Sequence, residues 1–318
     1  MNVPKRITEL LNRKQELIDR YTDKLNGSII RLQSTLMDAI VDSAILEMDV
    51  VDGVLQDTAK NYQLVASLDK VFDTFFVKQA SILLPQINSA TGAISSLTDE
   101  YFLAVATPEI LKRFEKVTEK AKKLTNLRFG LKGGEFVRGG QIEGLIWEFG
   151  QTRIKKLMVR AITSNMNKKD FIREMRKFVV GSEKTPGISE RQWKQFAYDV
   201  YQQHDAAYNK KLAEEFDMKY FIYQGGLIRD SRDFCAAHNN KVWTTEEAEA
   251  WKEWTPNMGE YPAGYEVKAK MVSEVPSYMN YPGYDPLVDR GGYNCRHQLG
   301  YISEELAYKL RPELKQKK

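Results

Sequence analysis

The sequence predicts a mainly α protein, with helical N-terminal and central regions and a small C-terminal α+β module held by a Cys/His cluster. Three observations predict it. Residues 5–125 carry apolar side chains in long runs compatible with helical spacing. At MKYFIYQGGLI (218–228) the composition turns aromatic and β-branched, the signature of a strand. Both cysteines and two of the three histidines fall in two short windows, RDFCAAHNN (232–240) and YNCRHQL (293–299).

The elements follow in order. Segment 29–56 is dense in Ile, Leu, Val and Met and suits a bundle helix broken near Gly53. LDKVFDTFFVKQASILL (68–84) suits a second helix, and SATGAISS (89–96) reads as a turn-rich break. TPEILKRFEKVTEKAKKL (107–124) restarts a helix, with Thr107 as N-cap and Pro108 at the first helical position, where a missing N–H costs nothing.

FGLKGGEFVRGGQIEG (129–144) holds six glycines but no GK[ST], so it reads as a hinged linker rather than a phosphate-cradling loop. Ile154, Leu157, Met158, Ala161 and Ile162 then form one apolar stripe. Asn167 caps a short helix carrying Phe171, Met175 and Phe178. Ser189 with Gln192 forms a capping box that opens a long helix burying Trp193, Phe196, Ala197, Val200 and Ala207. His204 lies on that stripe and reads as a core residue rather than a catalyst. TTEEAEAWKEW (244–254) is a short capped helix, and residues 255–294 hold five of the ten prolines without helical period. The division expected is a helical region 1–128, a Gly-rich linker 129–150 and a domain 151–318. That domain comprises helices 151–217, a compact α+β module 218–305 and a basic tail.

Composition narrows the class. At 42% hydrophobic and 28% charged residues the 318-residue chain can bury a core. It has no apolar run long enough to span a membrane, and its first residues, MNVPKRITELLNRKQ, lack the apolar stretch of a secretion signal. Two cysteines in this length argue against a disulfide scaffold and for a reducing cytoplasm. The net charge of +4 is unevenly spread, since residues 111–177 hold 18 Lys and Arg against 7 Asp and Glu. That basic middle suits packaged DNA or an acidic partner, or is a solvated helix face.

Cys235, His238, Cys295 and His297 supply two thiolates and two imidazoles, a donor set that tetrahedral zinc accepts. The x2 spacing of the first pair is usual for zinc. The one-residue spacing of the second works on an extended strand, where i and i+2 share a face. Asn239 and Asn240 follow, and Asn tolerates a left-handed turn. Two other states stay open. The thiols can be buried small hydrophobes, or a disulfide that would contribute about 4 kcal/mol by closing so long a loop. His238-Asn239-Asn240 also suggests a metal-dependent nuclease. If His238 and His297 hold a structural metal, however, only His204 remains, and no motif unites Asp230, Asp233, Asp285 and Asp289. A transferase is matched only by Glu247-Ala248-Glu249. No residue is assigned a catalytic role.

The run AYNKKLAEEFDMKYFIYQGGLIRDSRDFCAAHNNKVWTTEEAEAW with RGGYNCRHQLGYIS resembles the phage head morphogenesis family, the Mu F-like minor head proteins. The likeness covers about residues 150–305. It lies in Ala207-Tyr208-Asn209 on a helix, an aromatic strand running into Asp230-Ser231-Arg232, Cys235 before the Lys241-Val242 turn, and Asn294-Cys295-Arg296-His297. Asn240 replaces a usual Gly, and His238 stands where many members carry a second cysteine. The resemblance implies a non-enzymatic virion component, a minor capsid protein of the head near the portal, involved in head assembly or DNA packaging and delivery. It implies portal protein and other head proteins as partners, packaged DNA along the basic region 111–177, and assembly in the host cytoplasm. In that setting Asp230 is expected to cap its loop and pair with an arginine such as Arg296.

Overall fold

The computed structural model describes the backbone of residues 4–128, 131–132, 135–136, 141–182, 185–292 and 295–317. Side chains are described outside 76, 79–80, 127–151, 183–186, 188–197 and 316–317. The chain is mainly α, with helical N-terminal and central regions and a small sheet-containing module at the C-terminal end.

The elements are α1 (Lys5–Ile40), β1 (Val50–Val51), β2 (Val54–Leu55), α2 (Ala59–Val105), α3 (Pro108–Arg128), β3 (Leu131–Lys132), β4 (Glu135–Phe136), α4 (Gln141–Thr163), α5 (Lys168–Val179), β5 (Gly181–Ser182), β6 (Thr185–Pro186) and α6 (Ile188–Glu215). The module follows with β7 (Tyr220–Gln224), α7 (Asp233–His238), β8 (Lys241–Thr244), α8 (Thr245–Glu249), α9 (Pro286–Asp289), β9 (Gln298–Ile302) and α10 (Glu304–Leu310).

Two compact units share these elements. One comprises residues 1–19, 90–126 and 198–318, the other residues 20–89 and 127–197. Helices α1, α2, α3 and α6 contribute residues to both.

In the second unit α1 passes into a π-helical turn, Val41–Ile45, before the β1–β2 hairpin. Asp52 and Gly53 both have positive φ, 50° and 79°, as the two central residues of a type I′ turn require. So the 29–56 segment is helix only in its first part. Asn61, fully buried, ties the hairpin down: its Oδ1 accepts from the Asp49 amide and its Nδ2 donates to the carbonyls of Asp49 and Gln56. Ile154, Met158, Ala161 and Ile162 are buried as the stripe predicts, with Leu157 half-buried. Asn167 caps α5 through Lys169 N, and Phe171, Met175 and Val179 form its inner face.

The turn-rich break expected at 89–96 is absent. Helix α2 runs through Pro85 and Gly92 without interruption to Val105. Ile87, Ala90, Ile94 and Phe102 are all 0% exposed, so burial of one continuous face outweighs the weak helix propensity of Ser, Thr and Gly there. The Gly-rich segment 129–144 and the Ser189–Gln192 box lie largely outside the described residues and side chains, as do Trp193, Phe196 and Ala197.

In the first unit β7 is the central strand of a three-stranded antiparallel sheet, β8–β7–β9. Phe221 pairs with Trp243 on one side and Tyr301 on the other, and Tyr223 with Lys241 and Leu299. Every residue of β9 is buried. Helical side chains cover the sheet. Tyr101 Oη donates to the Tyr301 carbonyl at 2.8 Å, and Asn209 Nδ2 to the Leu299 carbonyl at 2.5 Å. The short capped helix expected at 244–254 is α8, where Thr244 and Glu247 form a capping box, and Arg311 grips Glu247 with two hydrogen bonds of 2.7 and 2.8 Å. Pro108 opens α3 as predicted, with the Ile110 amide 3.5 Å from Thr107 Oγ1.

Candidate metal centre

The two Cys/His windows meet beside the sheet. Cys235 projects from α7, and Cys295 and His297 from the extended residues leading into β9. Cys235 Sγ and Cys295 Sγ are 3.9 Å apart, and His297 Nδ1 lies 3.8 Å from Cys295 Sγ. All three residues are buried, and one donor atom from each lies within 4.8 Å of the others, a group that could hold a metal ion.

These separations fit a metal. With bonds of about 2.3 Å to sulfur, a tetrahedral edge between two thiolates is about 3.8 Å. The sulfurs are much farther apart than a disulfide bond of about 2.05 Å, and both cysteines are free. Two glycines make the space. A Cβ on Gly291 would lie 2.7 Å from Cys235 Sγ and 3.2 Å from Cys295 Sγ, and one on Gly225 would lie 2.8 Å from the His297 ring.

The electrostatics favour one thiolate even without a metal. Cys295 is held well below the usual thiol range, chiefly by the hydrogen bond from Cys235 and then by His297 and Arg290. Cys235 is pushed well above it, by that same shared proton and by burial. Arg290, only 2% exposed, adopts a φ of +53°, uncommon for a residue with a Cβ, and donates to the His297 carbonyl at 2.6 Å. On the other side Arg232 donates to the Gly291 carbonyl at 2.6 Å.

His238 lies outside the group. One helical turn after Phe234, its Nδ1 bonds the Phe234 carbonyl at 2.7 Å. Its ring stacks on Phe234 at 4.0 Å and lies 4.7 Å from Trp243, with Trp251 and Trp254 edge-on. Burial in this aromatic box pushes its pKa down to about 3.

The Asp230–Arg296 pair is not formed. Asp230 is exposed and makes no ion pair among the described residues, while Arg296 lies over the Tyr198 ring. Asp233 takes the capping role instead. It is 3% exposed and accepts from Tyr265 Oη and the amides of Lys268 and Ala269, which fastens the proline-rich loop. Asn240 has the left-handed φ, +58°, expected of it. His204 is a core residue, 1% exposed, with Nε2 3.2 Å from Asn126 Oδ1.

Sequence reasoning missed Tyr223. Its hydroxyl lies 3.5 Å from Cys235 Sγ and 3.4 Å from Cys295 Sγ. In the sequence it is one aromatic among several in a strand, with no spacing to mark it.

No family model, curated protein or solved structure matches the chain. No helix among the described residues is long and apolar enough to cross a membrane.

Proposed function

We propose that this chain is a non-enzymatic virion component: a minor head protein of the portal region, acting in head assembly or DNA packaging and delivery. Its C-terminal module would be fastened by zinc on Cys235, Cys295 and His297. One observation carries the proposal. The separate segments that resemble the Mu F-like proteins converge on one sheet, with Asn209 bonded to Leu299, and with Cys235 beside Cys295 and His297. A motif that is scattered in sequence and joined in space behaves as one structural fastening. Zinc bound there would supply cross-linking rather than chemistry, because the donors are buried among aromatic rings and backbone carbonyls, and the nearby Arg290 and Arg232 are engaged with the His297 and Gly291 carbonyls.

The histidines support a structural role over a hydrolytic one. His204, His238 and His297 are 1%, 3% and 3% exposed, and burial holds His204 near a pKa of about 4. A general base for hydrolysis needs reach to substrate and a pKa near the working pH. Helix α3 exposes Lys112, Arg113, Lys116, Lys120 and Lys123 against Glu109, Glu115 and Glu119, a net basic surface suited to packaged DNA or an acidic partner, with Lys120 paired to Glu215.

Mass spectrometry of purified proheads and virions, together with pull-down of the portal protein, tests the assignment. Presence in both particles with the portal is expected; absence from both overturns it.

A further inference from the structure

We propose that the Tyr223 phenolate is the fourth ligand of the metal centre, completing a two-cysteine, histidine, tyrosine site in which His238 takes no part. The inference rests on the zinc reading above and names its missing vertex.

Three protein donors leave one tetrahedral position open. The Tyr223 hydroxyl stands 3.5 and 3.4 Å from the two sulfurs. With bonds of about 2.3 Å to sulfur and 2.0–2.2 Å to oxygen, the expected sulfur–oxygen edge is about 3.5 Å. The histidine lies on the same side: Tyr223 Oη and His297 Nδ1 stand 3.4 and 3.8 Å from the same Cys295 Sγ, and the two rings stack nearly parallel, centroids 4.8 Å apart.

The hydroxyl is held there rigidly. Tyr223 lies in the central strand, is 0% exposed, and packs edge-on against Phe234 and Trp251. Sulfur is a weak acceptor, and a fully buried phenol whose hydrogen-bond contacts are two sulfurs is poorly satisfied without a metal. The rival ligands are disfavoured. His238 Nδ1 is engaged by Phe234 and its ring is boxed by tryptophans. A water at the fourth vertex would have to displace the Tyr223 hydroxyl, which already stands against both sulfurs.

Charge agrees. Two thiolates and a phenolate around a divalent ion leave one net negative charge. Arg232 and Arg290 stand beside the site, donating to the Gly291 and His297 carbonyls. On binding, the phenolic O–H breaks, its proton passes to solvent, and the oxygen lone pair bonds the metal. Nothing is oxidised or reduced.

The test titrates Zn²⁺ into the metal-stripped full chain and follows three readouts: the near-ultraviolet difference band of a tyrosinate, the protons released, and the affinity. The wild type is expected to bind one zinc per chain, with a tyrosinate band saturating at one equivalent. Tyr223→Phe should fold by circular dichroism, lack the band, release one proton fewer and bind roughly tenfold or more weakly. A zinc-loaded wild type without the band overturns the assignment whatever the variant does, as does a band that survives in Tyr223→Phe. If the variant fails to fold, the wild-type band alone decides. Failure of the wild type to bind zinc at all is a different result and removes the metal reading itself.

Discussion

Lys14 and Asp205 form an ion pair of 2.9 Å in which each side chain is 1% exposed. Thr98 Oγ1 adds a hydrogen bond to Asp205 at 2.7 Å. The pair joins α1 to α6 inside one compact unit, close to where His204 is buried. Two desolvated charges gain little net stability, but each makes the other obligatory. Lys14→Ala should therefore lower the unfolding free energy by about 3–5 kcal/mol. The double variant Lys14→Met/Asp205→Leu should recover most of that loss. Denaturant melts of the three proteins check this; a single-variant loss under about 1 kcal/mol would place the pair with ordinary surface salt bridges.

His204 makes stability depend on acid. Burial holds its pKa down at about 4, against the 6.5 of a free imidazole. The unfolded chain binds a proton below pH 6.5 and the folded chain does not, so stability is present above 6.5 and is lost as pH falls from there toward 4. One such group contributes a slope of about 1.4 kcal/mol per pH unit within that window. His204→Gln should flatten the wild-type stability profile between pH 6 and 4.5 by about that slope. Parallel profiles for the two proteins would show that His204 binds its proton equally well in the folded and unfolded chain.

Asp233 fastens a long loop that has little regular structure. It receives Tyr265 Oη at 2.8 Å, Lys268 N at 2.9 Å and Ala269 N at 2.8 Å. Hydrogen bonds to a charged acceptor contribute about 1.5–3 kcal/mol each. Asp233→Ala should open this loop locally, and tryptic cleavage after Lys268 and Lys270 should accelerate several-fold. Unchanged cleavage would mean that Tyr261, Tyr265 and the prolines hold the loop without it.

Gly291 should accept no side chain. A Cβ there meets both sulfurs, whereas one on Gly226 meets nothing within 4 Å. Gly291→Ala should cost about 1–3 kcal/mol through overpacking and weaken zinc binding, while Gly226→Ala stays within about 0.5 kcal/mol. Equal effects at the two positions would show that the space around the sulfurs is not tight.

Local chemistry was legible in the sequence wherever it acts over a few residues. The Asn167 cap, the short capped helix at 244–254, the Pro108 helix start and the stripe at 154–162 follow from spacing alone. The break expected at 89–96 failed because burial of Ile87, Ala90 and Ile94 against distant residues outweighs the turn preference of Ser and Gly. The break near Gly53 was legible, but the strands on either side of it were not, because the apolar run suits a helix equally well. At the centre, the cysteines and His297 could be picked by donor type. Tyr223 could not, because its role comes from strand register, and His238 is diverted by five aromatic neighbours that only the fold assembles.

Elemental analysis of the purified full chain, with Cys295→Ser beside it, tests the central claim most directly. The account predicts one equivalent of zinc per wild-type chain, none in the variant, and loss of protection of the β8–β7–β9 amides when a chelator strips the metal. A metal-free wild type whose sheet is equally protected with and without chelator would contradict it.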